Sequence, residues 1–234
     1  MSGKKLKKLI SAGLVYSLAL IFSSPAFSSG IVLAGTRIIY PAGTKQITQS
    51  VRNTSDKNSY LVQSWVEAAD GKKTTDFIVT PPLYVSKPGD DNIIRIMHAG
   101  KSLPADRESV YYFNAKSVPS VDKKALEGKN VLMIAAVTRI KLFVRPANLK
   151  PSQAEAADLL TFTRAGNKMT IKNPSPYYIT LTDIKAGKTK LRDTMVAPFS
   201  EETVVLPAGY NAAIHYTTIN DYGAASSVKT ALLK

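Results

Sequence analysis

The chain has no cysteine, one tryptophan and two histidines among its 234 residues. Without cysteine no disulfide can staple the fold, no thiolate can serve as a nucleophile and no thiolate metal site can form, so a packed core must hold the protein together. His98 and His215 lie far apart in sequence and outside any metal-ligand spacing such as H-E-x-x-H, so each reads as a structural or surface histidine. No G-x-S-x-G elbow, P-loop or dinucleotide fingerprint occurs, and no carboxylate pair has an evident acid–base partner. These absences point to a protein that is not an enzyme, uses no cofactor and holds no metal. Beyond the N-terminal segment there is no long stretch of helical period, and no apolar run near the ~20 residues that a membrane span requires.

What is present begins with an export leader. Lys4, Lys5, Lys7 and Lys8 precede an apolar run over residues 9–22, and small residues flank Pro25. Ala26 and Ser28 suit a cleavage site, which gives a signal peptide over 1–28 and a mature start at Ser29. The apolar run is too short for a stable membrane anchor. An exported chain without cysteine suits a bacterial periplasm. The formal charge of +14 is unevenly spread: residues 29–150 carry 18 basic against 10 acidic side chains, and residues 151–234 carry nine against seven. No basic run has interleaved aromatics of the kind that tracks a phosphate backbone, so the charge suits an acidic protein surface or a carboxylate, or simple solubility, better than nucleic acid.

Turn signals punctuate the remainder at the spacing of an all-β protein. Segments rich in Val, Ile, Thr and Tyr at 47–51, 60–66, 92–97, 110–114 and 131–144 alternate with Gly, Pro, Asn and Asp clusters. Trp65, in the third of the early strands, is expected in a sandwich core. Two prolines, Pro146 and Pro151, bracket a polar stretch after the longest strand, and the β pattern restarts at 159–163, 168–172, 177–182, 202–206 and 212–219. The fold class expected is two immunoglobulin-like β-sandwich domains, over 29–147 and 148–234, with no internal repeat strong enough to mark a duplication. Asn53-Thr54-Ser55 fits a glycosylation triplet, a pattern common by chance.

The segment 131–145 reads V-L-M-I-A-A-V-T-R-I-K-L-F-V-R. In a strand, Val131, Met133, Ala135 and Val137 face one way, and Leu132, Ile134 and Ala136 the other. Both faces are apolar, which by itself is the pattern of a central strand buried on both sides. The odd face then turns cationic at Arg139, Lys141 and Arg145, which should line a wet cleft.

Here the residues carry a resemblance. The stretch Leu103-Pro104-Ala105-Asp106-Arg107-Glu108-Ser109-Val110-Tyr111-Tyr112-Phe113-Asn114, followed by Val118-Pro119, resembles the signature of periplasmic pilus-assembly chaperones of the chaperone/usher pathway. Arg139-Ile140-Lys141-Leu142-Phe143-Val144-Arg145-Pro146 is similar to the end of that family's G1 strand. Thr36-Arg37, Thr80-Pro81-Pro82, Asn173-Pro174-Ser175-Pro176-Tyr177-Tyr178 and Asn220-Asp221-Tyr222-Gly223 add further matches, so the likeness spans roughly residues 30–223.

The resemblance implies an L-shaped pair of domains that lends its G1 strand to pilin (fimbrial) subunits lacking their last strand, then delivers them to an outer-membrane usher. On this reading Leu132, Ile134 and Ala136 plug the subunit's groove. Ala136 stands where a larger residue is common, which implies a shallow third contact or a bulkier pilin at that pocket. Arg37 and Lys141 grip the subunit's C-terminal carboxylate and so set register, because a one-residue slip would turn Leu132 and Ile134 away. Glu108, Arg145 and Asp221 match charged positions that fix the angle between domains. The short stretch 120–130 and the short mature N-terminus resemble the short-loop branch of the family, Ala115 departs from a larger aliphatic in the signature, and either Thr80–Pro81 or Pro81–Pro82 is a candidate cis bond. Self-association of the free protein stays open. The rival classes are a pilin or adhesin, which should show an alternating N-terminal extension, and a carbohydrate-binding sandwich, which should expose more than one tryptophan.

Overall fold

The computed structural model describes residues 30–121 and 132–233. The leader, Ser29 and Val131 therefore lie outside the described residues. The first sandwich sets a four-stranded sheet, ordered β1 (Ile31–Leu33), β3 (Ile47–Asn53), β7 (Asp91–His98), β5 (Phe77–Thr80), against a five-stranded one. The latter is ordered β2 (Arg37–Pro41), β9 (Ala136–Arg145), β8 (Ser109–Pro119), β4 (Tyr60–Ala68), β6 (Leu83–Ser86). All neighbours run antiparallel except β2 and β9. That exception arises because the chain crosses from one sheet to the other between β1 and β2, turning at Gly35, whose φ of 85° suits a residue without Cβ.

Period-two alternation builds the core. On β7, Ile94 and Ile96 are fully buried while Ile93 and Arg95 between and beside them are exposed. Val51, Val62, Phe113 and Leu142 join them from the other strands, together with Ala115. Trp65 corrects its expected role. Val62, Ser64 and Val66 on β4 face inward, so Trp65 stands on the outer face, half-buried, with its indole N–H donating to Glu67 Oε1 at 2.8 Å.

The second sandwich pairs β10 (Thr161–Ala165), β11 (Lys168–Asn173) and β15 (Ser200–Val205) against a sheet ordered β13 (Thr189–Lys190), β12 (Ile179–Ala186), β16 (Ile214–Thr218), β17 (Lys229–Ala231), with β14 (Thr194–Val196) also on β12. Met169, Ile171, Leu181, Ile184, Val196 and Ile214 fill its core. One helical turn, α1 (Gln153–Ala156), precedes it, capped reciprocally by Ser152 and Glu155. Thr80–Pro81 is cis, as is Lys150–Pro151.

The two sandwiches turn one corner identically. Asn53 ends β3 and Asn173 ends β11, both wholly buried. The Asn53 amide donates to the carbonyls of Asn58, Ser86 and Lys87 and accepts the Ser55 N–H. The Asn173 amide donates to those of Tyr177, Val196 and Ala197 and accepts the Ser175 N–H. A repeated Asn-x-Ser corner thus exists where the sequence alone suggested no repeat. It also removes the acceptor side chain of the glycosylation triplet from solvent, since Asn53 has no exposed surface.

Candidate functional site

The long apolar segment proves shorter as a strand than its pattern suggests. β9 starts at Ala136, not at residue 131, and residues 132–135 join no ladder. The reason lies in the partner. Ser117 opposite Ala136 is the last pair of the β8–β9 ladder, and two residues on stands Pro119, which has no N–H to offer. On its other side, β9 pairs with β2 only from Lys141 to Arg145. Residues 136–140 are therefore bonded along one edge alone.

Burial splits the segment in two. Ile140, Leu142 and Val144 enter the first core, whereas Leu132 is 84% exposed, Ile134 69%, Met133 47% and Val137 53%, and Ala136 is exposed as well. The buried central strand expected from the pattern alone is thus corrected: only the C-terminal half is core. Even-numbered side chains change from solvent to core along one continuous face.

The cations on the odd face also sort themselves. Arg139 is taken up by Glu67 at 3.3 Å and lies over the Tyr112 ring at 3.9 Å. Arg145 is taken up at the domain junction. Lys141 remains, and the parallel register sets Arg37 of β2 directly beside it. Lys141 Nζ donates to Thr180 Oγ1 at 3.1 Å and Arg37 Nη1 to the Ile219 carbonyl at 3.3 Å, both in the second sandwich. Among the described residues neither makes an ion pair within 4.0 Å, and Arg37 Nε is buried without a hydrogen-bond partner. Burial pushes the Lys141 ammonium below its usual range, with the neighbouring Arg37 charge adding to it. Burial lowers Arg37 too, partly offset by Asp221 and Glu108. An anion received here would relieve two underneutralised cations.

The junction is built from Glu108, Arg145 and Asp221. Arg145 Nε donates to Glu108 Oε1 at 2.7 Å, while its two terminal nitrogens donate to Asp221 at 2.6 and 2.7 Å. Glu108 ties the two sandwiches twice more: its N–H donates to the Pro176 carbonyl at 2.9 Å, and its Oε2 accepts the Tyr178 N–H at 2.8 Å. Burial of Glu108, 3% exposed, raises its carboxyl, against the pull of Arg145. Burial works to lower Arg145, but its bonds to Asp221 and Glu108 outweigh that and hold the guanidinium charged. Phe143 packs on Tyr178 across the same junction, centroids 5.7 Å apart, with Arg37 over its ring. Thr180 and the Ile219 carbonyl are contacts that no motif marked, because they lie beside the signature stretches and act through position only.

Comparison with known proteins matches residues 30–150 to the pili and flagellar-assembly chaperone PapD N-terminal domain, and residues 155–230 to the pili assembly chaperone PapD C-terminal domain. The chain belongs to the pilus-assembly chaperone family. Among its relatives is a probable fimbrial chaperone, SfmC of Escherichia coli K12, 44% identical over 92% of this chain and 94% of its own. The crystal structure of the periplasmic chaperone SfaE is 42% identical, with a TM-score of 0.76 over 87% of this chaperone and 100% of that chain. The Salmonella enterica SafB chaperone, solved in complex with the SafA pilin, is 31% identical, with a TM-score of 0.78 over 90% of this chaperone and 99% of that chain. This chaperone's two immunoglobulin-like domains and periplasmic class follow from that membership, and its relatives are named as chaperones, not as enzymes.

Proposed function

We propose that this chaperone captures fimbrial (pilin) subunits by lending them the segment 131–145, and delivers them to an outer-membrane usher without catalysing a reaction. The observation that carries the reading is the exposed apolar run 132–137 on a strand bonded along one edge, ending at two cations without an ion pair among the described residues. Leu132 and Ile134 are the main donor side chains and Ala136 a weaker third. Burying each large aliphatic from so exposed a start contributes roughly 1.5–3 kcal/mol. Arg37 and Lys141 take the subunit's terminal carboxylate, each through a charge-assisted hydrogen bond of about 1.5–3 kcal/mol. Because those cations stand where β2 begins, a subunit strand ending there runs back along 140–132 parallel to β9, in line with β2. Glu108, Arg145 and Asp221 hold the domains at one angle, so that Thr180 and the Ile219 carbonyl stay behind the anchor.

A second exposed apolar patch, Leu61, Leu83, Val85 and the half-buried Val118, favours the usher as a separate partner. It lies on β4, β6 and β8 around a depression of about 290 Å³ lined by Leu61, Gln63, Leu83, Lys116 and Val118, none of them a residue of the donor strand. The same reading takes residues 1–28 as a removed leader, the domains as 29–147 and 148–234, and self-pairing as a way for the free chaperone to cover its open edge. Co-expression with pilins encoded beside its gene provides the test. Subunits should copurify from periplasm with the intact chaperone and be lost with Lys141→Ala at unchanged thermal stability; recovery of equal amounts by the variant would sink the anchor.

A further inference from the structure

Phe199 belongs to neither core. It stands in the connection between β14 and β15, 49% exposed and outside both apolar clusters, and its φ of 53° is one that a bulky side chain rarely adopts. Its backbone is held there by its N–H, which donates to the Ser175 carbonyl at 3.2 Å, within the corner that Asn173 builds. The ring reaches the first sandwich instead: the Arg107 guanidinium carbon sits 4.9 Å from its centroid. Asp106 in turn grips Arg107, accepting from Nε at 3.0 Å and from Nη2 at 2.8 Å. A carboxylate that holds a planar guanidinium by its edge leaves the face free to stack on an aromatic ring. Backbone strain of this kind persists only where the surroundings impose it, and it clusters at functional sites.

We propose that Phe199 is a positioning residue: with Asp106 and Arg107 it forms a second strut between the sandwiches, separate from the Glu108–Arg145–Asp221 cluster, and the two together fix their angle. The struts reach different sheets of the second sandwich. Asp221 follows β16 of one sheet, whereas Phe199 leads into β15 of the other. A hold on one loop leaves rotation about that loop free, and a hold on a separate loop removes it. The consequence for capture rests on the reading given above. Thr180 and the Ile219 carbonyl belong to the second sandwich, so the angle sets how closely they back Lys141 and Arg37. Phe199 acts on capture through that angle, not by contact with the subunit.

Because the chain has no cysteine, spin labels can be placed at Ile93→Cys and Val205→Cys alone, one exposed site on each sandwich of the intact mature chaperone. Pulsed electron paramagnetic resonance should give one narrow distance distribution, broadened by Phe199→Ala and by Arg107→Ala and kept narrow by Phe199→Tyr. Phe199→Gly should broaden it as alanine does with no loss of thermal stability, because glycine takes a left-handed φ without strain, which separates a lost strut from a weakened fold. Recovery of a co-expressed fimbrial subunit should fall about threefold in the alanine and glycine variants, as loss of one partly exposed cation–π contact implies, and return with tyrosine. Distances unchanged in Phe199→Ala, or subunit recovery unchanged in the variants whose distances broaden, would overturn the proposal. No recovery even by the unaltered chaperone, with its distances narrow, would instead overturn the capture reading and the role of Phe199 in capture with it.

Discussion

Replacing Arg145 with leucine strips Glu108 of its ion-pair partner while leaving the carboxylate where water cannot reach it. The Glu108 side chain is 2% exposed and would keep a single charge-stabilising bond, the Tyr178 N–H at 2.8 Å. Breaking a buried pair in this way costs about 3–5 kcal/mol. Asp221 adds little, because its side chain is 29% exposed and water replaces the lost nitrogens. The Arg145 stem also leaves the face of Tyr177, which leucine fills in part. We expect a loss of about 3–4 kcal/mol near pH 7, from the low half of that range.

The pH dependence identifies the cause. Burial already raises Glu108 in the intact protein, and loss of Arg145 removes the strongest opposing pull, so its folded pKa rises further. A raised carboxyl favours the folded state below the unfolded pKa, and that advantage is lost as pH rises through the folded value. Each further unit is worth about 1.4 kcal/mol. The deficit of the variant should therefore be largest at neutral pH and shrink toward about pH 4, where Glu108 is protonated in both proteins. Urea unfolding followed by far-UV circular dichroism at the two pH values measures it, and small-angle scattering reports any change of domain angle. A loss below about 1 kcal/mol at neutral pH, or one that is equal at both, would refute the reasoning.

Subunit affinity should fall as pH rises through the Lys141 pKa, which burial and Arg37 set below 10.5; a carboxylate raises that pKa on binding, so affinity is full below it. Titration calorimetry across alkaline pH should show this decline flattened by Lys141→Arg, and identical curves would count against it. Asn173→Ala should lower the stability of the second sandwich by about 2–4 kcal/mol, since it removes the amide that donates to the carbonyls of Tyr177, Val196 and the part-buried Ala197. Asn53→Ala should do the same to the first, and scanning calorimetry separates the two unless the sandwiches melt as one. Ala136→Leu should leave stability unchanged, as the position is exposed, and tighten capture by up to about 2 kcal/mol where the subunit pocket has room. Unaltered affinity for every subunit tested would remove Ala136 from the donor set.

Segments rich in Val, Ile, Thr and Tyr between turn signals made β3, β4, β7, β8, β11 and β16 legible, and in β3, β4 and β7 burial then alternates with period two, as a sheet with one buried face requires. Strands without that contrast were not legible. β1, β13 and β17 have two or three residues, and β6 (Leu-Tyr-Val-Ser) exposes its aliphatic side, Leu83 and Val85, and buries Ser86, against the usual contrast. The turn at Gln153–Ala156 did carry a readable signal, Ser152 followed three residues later by Glu155, between Pro151 and the strand expected from residue 159. Trp65 misled because size suggests core, whereas its place on β4 is set by the parity of Val62 and Val66.

For the site, the resemblance picked out Arg37, Lys141, Glu108, Arg145 and Asp221 from motifs scattered over most of the chain, and the fold brings each group together. The sequence by itself determined an all-β, cysteine-free chain with a segment apolar on both faces that turns cationic, since composition and alternation are properties of residue order. It could not say whether those apolar faces were buried. Leu132 and Leu142 are alike in the pattern, yet one is 84% exposed and the other wholly buried. Only the tertiary structure decided this, because burial belongs to neighbours: β2 covers β9 from Lys141 onward, β8 runs out at Pro119, and residues 132–135 join no ladder.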